Sequence, residues 1–216
     1  MNAMWRPGQT RKPARMNDGP LILASKSRAR LAMLTAAGVP VEAVAPNVDE
    51  ESLKDGLKNE GITARNLADA LAEAKAVRLS QRIGAGLVLG ADQVLALEDG
   101  SMLDKPVDQA DAIAHLKLLS GSKHKLFSAA VIAEQGQAIW RHIDIATLSV
   151  RPLSDTFIEH YVETEWDNIC YCVGCYEIEG RGAQLFSAIQ GSQFTIMGLP
   201  LLHLLDYLRI RGILPS

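Results

Sequence analysis

Residues 87–97 read Leu87-Val88-Leu89-Gly90-Ala91-Asp92-Gln93-Val94-Leu95-Ala96-Leu97. A short apolar run that ends at the turn-forming pair Asp99-Gly100 predicts a long, largely buried β-strand followed by a hairpin. One carboxylate, Asp92, stands inside it. Burying an unpaired charge costs several kcal/mol or shifts its pKa, so a partner or a metal must compensate. A structural Asp bonded to a neighbouring loop is the alternative.

Working outward, Leu21–Ala24 is a second buried strand. It runs through Ser25-Lys26-Ser27 into a helix that Ser27 caps and Gly38 ends. A further helix is expected from near Thr63 to about Leu79, with Leu67, Leu71 and Ala74 inward. Downstream, a helix fits Asp108 to Ser120, and strands fit Leu126–Glu134 and Ala138–Val150. Ala146, Leu148 and Val150 alternate with polar neighbours, as one buried sheet face requires. Ser154 starts a helix through Tyr161, and strands are expected around Tyr176–Ile178, Leu185–Ile189 and Phe194–Met197. The last helix begins beside Pro200 and carries Leu201, Leu204, Leu205 and Leu208. With no repeat and no interior linker, the expectation is one mixed α/β domain over residues 20–216.

Composition narrows the class. The 216 residues are 48% hydrophobic but only 5% aromatic, so Leu, Ala, Ile and Val must build the core. A net charge of −3 argues against sequence-independent nucleic-acid binding, which runs on excess Lys and Arg. No apolar run approaches the ~20 residues of a membrane span. Three cysteines make no disulfide framework. The expectation is a soluble cytoplasmic protein that binds neither membrane nor nucleic acid. Residues 1–19 are basic and aperiodic, with Arg6, Arg11, Lys12 and Arg15 preceding the first acid, Asp18. They read as a disordered tail or as a start placed upstream of Met16; a transit peptide or anion-binding arm is the alternative.

Familiar catalytic signatures are absent: no phosphate loop of the G-x-x-x-x-G-K-[ST] type, no G-x-S-x-G and no H-E-x-x-H. The five histidines lie at no metal-ligand spacing, and Cys170, Cys172 and Cys175 lack a second Cys/His pair for a structural zinc. What remains is a set of charges. Arg28 and Arg30 fall in the first turn of a helix, where the macrodipole disfavours cations. They make sense there if an anion is held by free N–H groups and the hydroxyls of Ser25 and Ser27; solvated surface arginines are the alternative. Lys75 lies one turn beyond Leu71 on the same helical face, and Lys105-Pro106 follows the hairpin after Asp92. Glu50 reads as a loop acid. Cations neutralise phosphate, and carboxylates hold a hard metal, so the set points to a polyphosphate with a divalent metal.

At these residues the chain resembles the Maf (septum formation) family of nucleotide pyrophosphatases. The matching stretches are LILASKSRAR at 21–30, NVDEE at 47–51, LADALAEAKA at 67–76 and VLGADQVLALEDG at 88–100. LDKP at 103–106, AIAHLKLLSGSKH at 112–124, YEIEGRGA at 176–183 and IMGLPLLHLLDYL at 196–208 continue the match in order. The resemblance implies a mixed twisted sheet with flanking helices, two lobes around a cleft as in inosine triphosphatases, and a homodimer. It implies Mg²⁺- or Mn²⁺-dependent cleavage of a nucleoside triphosphate to the monophosphate and pyrophosphate. By position Asp92 matches the general base, and Glu50, Lys75 and Lys105 match metal- and phosphate-handling residues. Ser25, Ser27 and Arg30 match the first loop. A non-catalytic partner-binding role in cell division is the other reading that the family name carries.

Two departures bear on the base. The family's loop usually reads S-x-S-P-R-R or S-x-S-P-W-R, whereas here Arg28 replaces the proline and Ala29 the base-selecting Arg or Trp. Gln93 and Glu179 stand where the family places base-reading residues, in the combination resembling the 7-methyl-GTP subgroup. A carboxylate can grip the adjacent N1–H and N2–H₂ donors of guanine, whereas uracil and thymine offer one N–H between two repelling carbonyls.

Overall fold

A computed structural model describes residues 19–215, so all of the basic segment but Gly19 falls outside the described residues, as does Ser216. In chain order the elements are β1 (Leu21–Ala24), α1 (Arg28–Ala36), β2 (Val41–Ala43), α2 (Glu50–Asn59), α3 (Ala64–Ile83), β3 (Val88–Leu97) and β4 (Met102–Leu103). Then come α4 (Gln109–Leu119), β5 (Lys123–Glu134), β6 (Gln137–Val150) and α5 (Asp155–Ile169). A 3₁₀ turn (Arg181–Leu185), β7 (Phe186–Gln190), α6 (Gln193–Ile196) and α7 (Leu201–Ile210) close the chain.

The seven strands form one mixed sheet in the order β2-β1-β3-β5-β6-β7, with β4 added beside β3. β1 is parallel to β2 and β3, and the remaining pairs are antiparallel. The quoted strand is the axis of the molecule. Along one edge of β3, β1 pairs as far as Ala24 opposite Gly90, and pairing resumes at Leu95 opposite Leu103, the last residue of β4. Residues 91–94 therefore face a gap between two strands running in opposite directions. The carboxyl end of β1 opens into that gap, and α/β sheets bind ligands outside the carboxyl ends of their parallel strands.

Alternation along β3 distributes its side chains among four packing clusters, the smallest formed by Val88 with Ala24 and Leu79. Leu89 and Ala91 join α1 and α7, Leu95 joins α4 and α5, and Val94 and Ala96 join α3 on the opposite face. The α1–α7 cluster and the α4–α5 cluster thus make two lobes at the two ends of one strand. Helix α3 lies close against the sheet because Gly90 has no Cβ, which would collide with the backbone of Ala72 and Ala76. No helix among the described residues is long and apolar enough to cross a membrane.

Several expectations need correction. Glu50 is not in a loop but opens α2, capped by Asp49, whose carboxylate accepts from the Ser52 N–H at 3.1 Å. Phe194–Met197 is not a strand: Ser192 caps a short helix there by accepting from the Phe194 N–H. Tyr176–Ile178 is irregular, because Cys175 at φ +57° and the packing of Gly182 on the Glu177 backbone fold this stretch into turns. α3 and α5 run on to Ile83 and Ile169, past the expected Leu79 and Tyr161.

Candidate active site

Asp92 projects from β3 toward α3, where the buried Lys75 meets it: Nζ lies 2.6 Å from Asp92 Oδ1. The same Nζ lies 2.7 Å from Glu50 Oε2 at the start of α2. One buried cation is thus shared by two carboxylates from two other elements, and each carboxylate keeps its second oxygen for another partner. This answers the question the sequence posed about Asp92. Its charge is compensated by Lys75, and the pair stands at the gap in the sheet rather than in a sealed core.

Arg30 lines the β1 side of that gap. Its Nη1 donates to Ala91 O at 2.9 Å and to Ser25 Oγ at 3.3 Å, and its Nε donates to Gly198 O at 2.8 Å. Gly198 sits at φ +97°, and a Cβ there would press on the guanidinium at 3.3 Å. Burial lowers the Arg30 pKa, and the charges of Asp92 and Glu50 act against that. Ser27 is the N-cap of α1, its hydroxyl accepting from the Arg30 N–H. Ser25 Oγ accepts from the Ser27 N–H at 3.2 Å. Both hydroxyls still have a proton to donate. Arg28 is exposed on the first turn.

Lys105 flanks the gap from the β4 side, on an exposed loop. Its pKa is lowered, first by desolvation in the crowded mouth and then by the charges of Arg30 and Lys75; Asp92 and Glu50 oppose them. Three cations crowd two carboxylates. An anion brought among them would relieve their repulsion.

Ser25, Arg30, Glu50, Lys75, Asp92 and Lys105 are therefore gathered in one place, and Ser27 supports them as a cap. Gln93 and Glu179 are not among them. Gln93 follows Asp92 in the strand, so its side chain takes the opposite face. There Nε2 donates to Thr195 O at 2.9 Å, Ile196 O at 3.0 Å and Ser128 Oγ at 3.0 Å, tying α6 to the sheet. Two carbonyl acceptors fix that atom as the nitrogen, so the free group of Gln93 is its Oε1. Glu179 lies exposed in the turn after Tyr176. Near it, the Glu177 pKa is raised by desolvation, Glu179 and Glu165. The Cys172 thiol is pushed up to about 12, chiefly by burial and then by Glu177 and Glu179, with Lys105 opposing.

Two features escaped the sequence. Asp104, beside Lys105, is gripped by Lys54 and Lys58 of α2. The four-residue spacing of Glu50, Lys54 and Lys58 is the signal that could have shown a helix face. Ser128 also donates to Thr195 O at 2.7 Å, beneath α6. The cysteines are free, and burial pushes the Cys175 thiol up to about 12 as well, so neither Cys172 nor Cys175 is a ready nucleophile.

The profile described as Maf-like protein matches residues 20–210. Relatives named nucleoside triphosphate pyrophosphatase include one from Sphingopyxis alaskensis, 54% identical over 91% of this chain and 99% of its own length. One from Caulobacter vibrioides is 50% identical over 92% of this chain and 99% of its own length, and one from Hyphomonas neptunium is 51% identical over 90% and 97%. A HAM1 protein structure from Coxiella burnetii overlaps 60% of this chain and 72% of its own at 15% identity, with a TM-score of 0.42, too slight a likeness to assign a fold. The gap in the β3 edge and every charged group lining it fall inside the matched span, and the bacterial relatives agree along nearly their whole length: this chain belongs to the Maf-like protein family.

Proposed function

We propose that this chain is a metal-dependent nucleoside triphosphate pyrophosphatase with a preference for guanine-type bases. The observation that carries the reading is the Glu50–Lys75–Asp92 cluster at the β3 gap, between Arg30 and Lys105. The curated relatives carry the same activity in their names.

In this reading the triphosphate lies across the gap, its charge met by Arg30, Lys75 and Lys105 and by the hydroxyls of Ser25 and Ser27. Asp92, held on Oδ1 by Lys75, offers its other oxygen to a water positioned against the α-phosphorus. Water supplies the new P–O bond, its proton passes to Asp92, and the bond from the α-phosphorus to the bridging oxygen breaks. Pyrophosphate leaves, its charge met by the lysines. Preorganised cations act most where charge builds up in the transition state.

The donor set fits a hard divalent ion. Among the described residues no three His, Cys, Asp or Glu side chains are grouped to cage a metal. Two carboxylates with free oxygens suit an ion that takes one or two protein ligands and completes its shell with phosphate and water. Glu50 through its free oxygen, and Asp92 through the water that it orients, would hold Mg²⁺ or Mn²⁺, which when bound neutralises phosphate charge and polarises the P–O bonds.

Base preference follows from acceptors. Glu179 as a carboxylate only accepts, and Gln93, whose side chain takes the other face of β3 from Asp92, would add only an acceptor, its Oε1, to a base lying on that side. Guanine presents adjacent N–H donors, and N7 methylation adds positive charge that a nearby anion attracts. The test is pyrophosphate release from 7-methyl-GTP, GTP, UTP and dTTP, with Mg²⁺, Mn²⁺ or EDTA, on the parent, Asp92→Asn and Glu179→Gln. We expect no release in EDTA and a loss of at least ~10²-fold in Asp92→Asn, as for loss of a general base. The purine substrates should lead in kcat/KM, with that lead reduced in Glu179→Gln. Full turnover by Asp92→Asn overturns the catalytic assignment; pyrimidine preference in the parent overturns the base reading.

A further inference from the structure

Helix α2 is weakly anchored for an element that carries a site residue. None of its ten residues is buried. Leu53 and Leu57 rest partly buried against α3. Glu50, Lys54 and Lys58 stand four residues apart and so share one face. Glu50 reaches Lys75, while Lys54 and Lys58 take one oxygen each of Asp104, at 2.5 and 3.0 Å. Asp104 is the residue before Lys105. One stripe on α2 therefore touches both sides of the mouth.

The Asp104 carboxyl is half exposed. Desolvation raises its pKa, and the two lysine contacts outweigh that, holding it below the ordinary carboxylate range. Exposed ion pairs of this kind contribute little to stability. A stability role thus leaves a doubly bonded carboxylate at this place unexplained, whereas its two ends explain it. One end lies on the helix with Glu50, the other on the loop with Lys105.

We propose that Asp104, gripped by Lys54 and Lys58, is a positioning residue that fixes the separation of Glu50 from Lys105 across the mouth of the cleft. This rests on the reading of the cleft as a triphosphate-cleaving site. The grip also occupies two lysines that would otherwise compete for the phosphate chain in unproductive poses. Two effects of opposite sign follow from breaking it. Turnover falls because Glu50 and Lys105 lose their register, and substrate binds more tightly because two cations are freed.

The experiment is steady-state kinetics of pyrophosphate release from GTP on the full chain. Asp104→Ala should lower kcat about tenfold, since a misplacement near 1 Å can cost up to ~10²-fold. Its KM should fall, because two lysines are freed to bind the phosphate chain. Asp104→Asn, nearly isosteric, gives the same result should the alanine variant fold poorly. Lys54→Ala with Lys58→Ala should lose kcat equally without any fall in KM. Combining Asp104→Lys with Lys54→Glu and Lys58→Glu should recover most of the turnover, because the grip is rebuilt with its charges exchanged. A merely structural role would lower the folded fraction and leave KM alone. A parent chain that releases pyrophosphate while Asp104→Ala and Asp104→Asn keep its kcat overturns the proposal alone, as does failure of the charge-exchanged chain to recover. A parent chain that releases none overturns the reading of the site and the proposal with it.

Discussion

His124 shows how one buried ring sets a pH limit on a whole domain. It is 1% exposed in β5, with Nε2 2.7 Å from the Tyr176 hydroxyl and Nδ1 without a partner. Desolvation pulls its pKa down to about 4, against 6.5 for a free histidine. Between those values the unfolded chain takes up a proton that the folded chain refuses. Stability is therefore full above pH 6.5 and declines as pH falls toward 4, by about 3 kcal/mol if the whole shift is realised. Urea unfolding at pH 7, 6 and 5 should show this decline in the parent. In His124→Phe the fall over the same interval should be shallower, although that variant starts less stable because the Tyr176 hydroxyl loses its partner. Equal pH slopes in the two proteins would assign the acid sensitivity to other groups.

Between elements, the contact that matters most to the site is α3 lying flat on β3. It holds Lys75 against Asp92, and it depends on Gly90. Gly90→Ala would set a methyl group into the backbone of Ala72 and Ala76, which cannot rotate away. Overpacking costs about 1–3 kcal/mol, and here the relief is to lift α3, separating Lys75 from Asp92. We expect a lower melting temperature and, in the protein that remains folded, at least tenfold lower kcat; undiminished turnover would show that α3 does not set the geometry. The same scale shows what the sequence could and could not tell. β1, α1, β3, α4 and the β5–β6 pair were legible because each has a clear period and a capping or turn residue. α2 was missed because only Leu53 and Leu57 break its polar run, and the Asp49 cap with Glu50 and Glu51 behind it is a signal easily read as a loop. Tyr-Glu-Ile at 176–178 imitates strand alternation, and Phe194–Met197 offers four residues with no period at all, so tertiary neighbours decide both. Within the site, the charged residues were legible by type, and the pairing of Lys75 with two carboxylates was not, since it joins three elements.

At the scale of the molecule, the two lobes share β3, so a triphosphate bound across the gap as proposed would contact both. Ligand that binds only the folded chain stabilises it by mass action. A non-hydrolysable triphosphate analogue at a hundred times its Kd should add about 2.7 kcal/mol, a rise in Tm of roughly 5–11 °C for a chain of this length. The rise should appear in a single transition; a second transition left unmoved would mean that one lobe does not touch the ligand. The Arg30 guanidinium, bonded to Gly198 across 168 residues of sequence, has a consequence in time as well as in space. During synthesis the N-terminal loop, α3 and β3 leave the ribosome long before the turn that must grip Arg30. Contacts of such separation form late. An unfinished chain would carry Glu50, Lys75, Asp92 and Lys105 without the brace that aligns Arg30 with them, so the hydrolysis proposed above would begin only once Gly198 has folded into place.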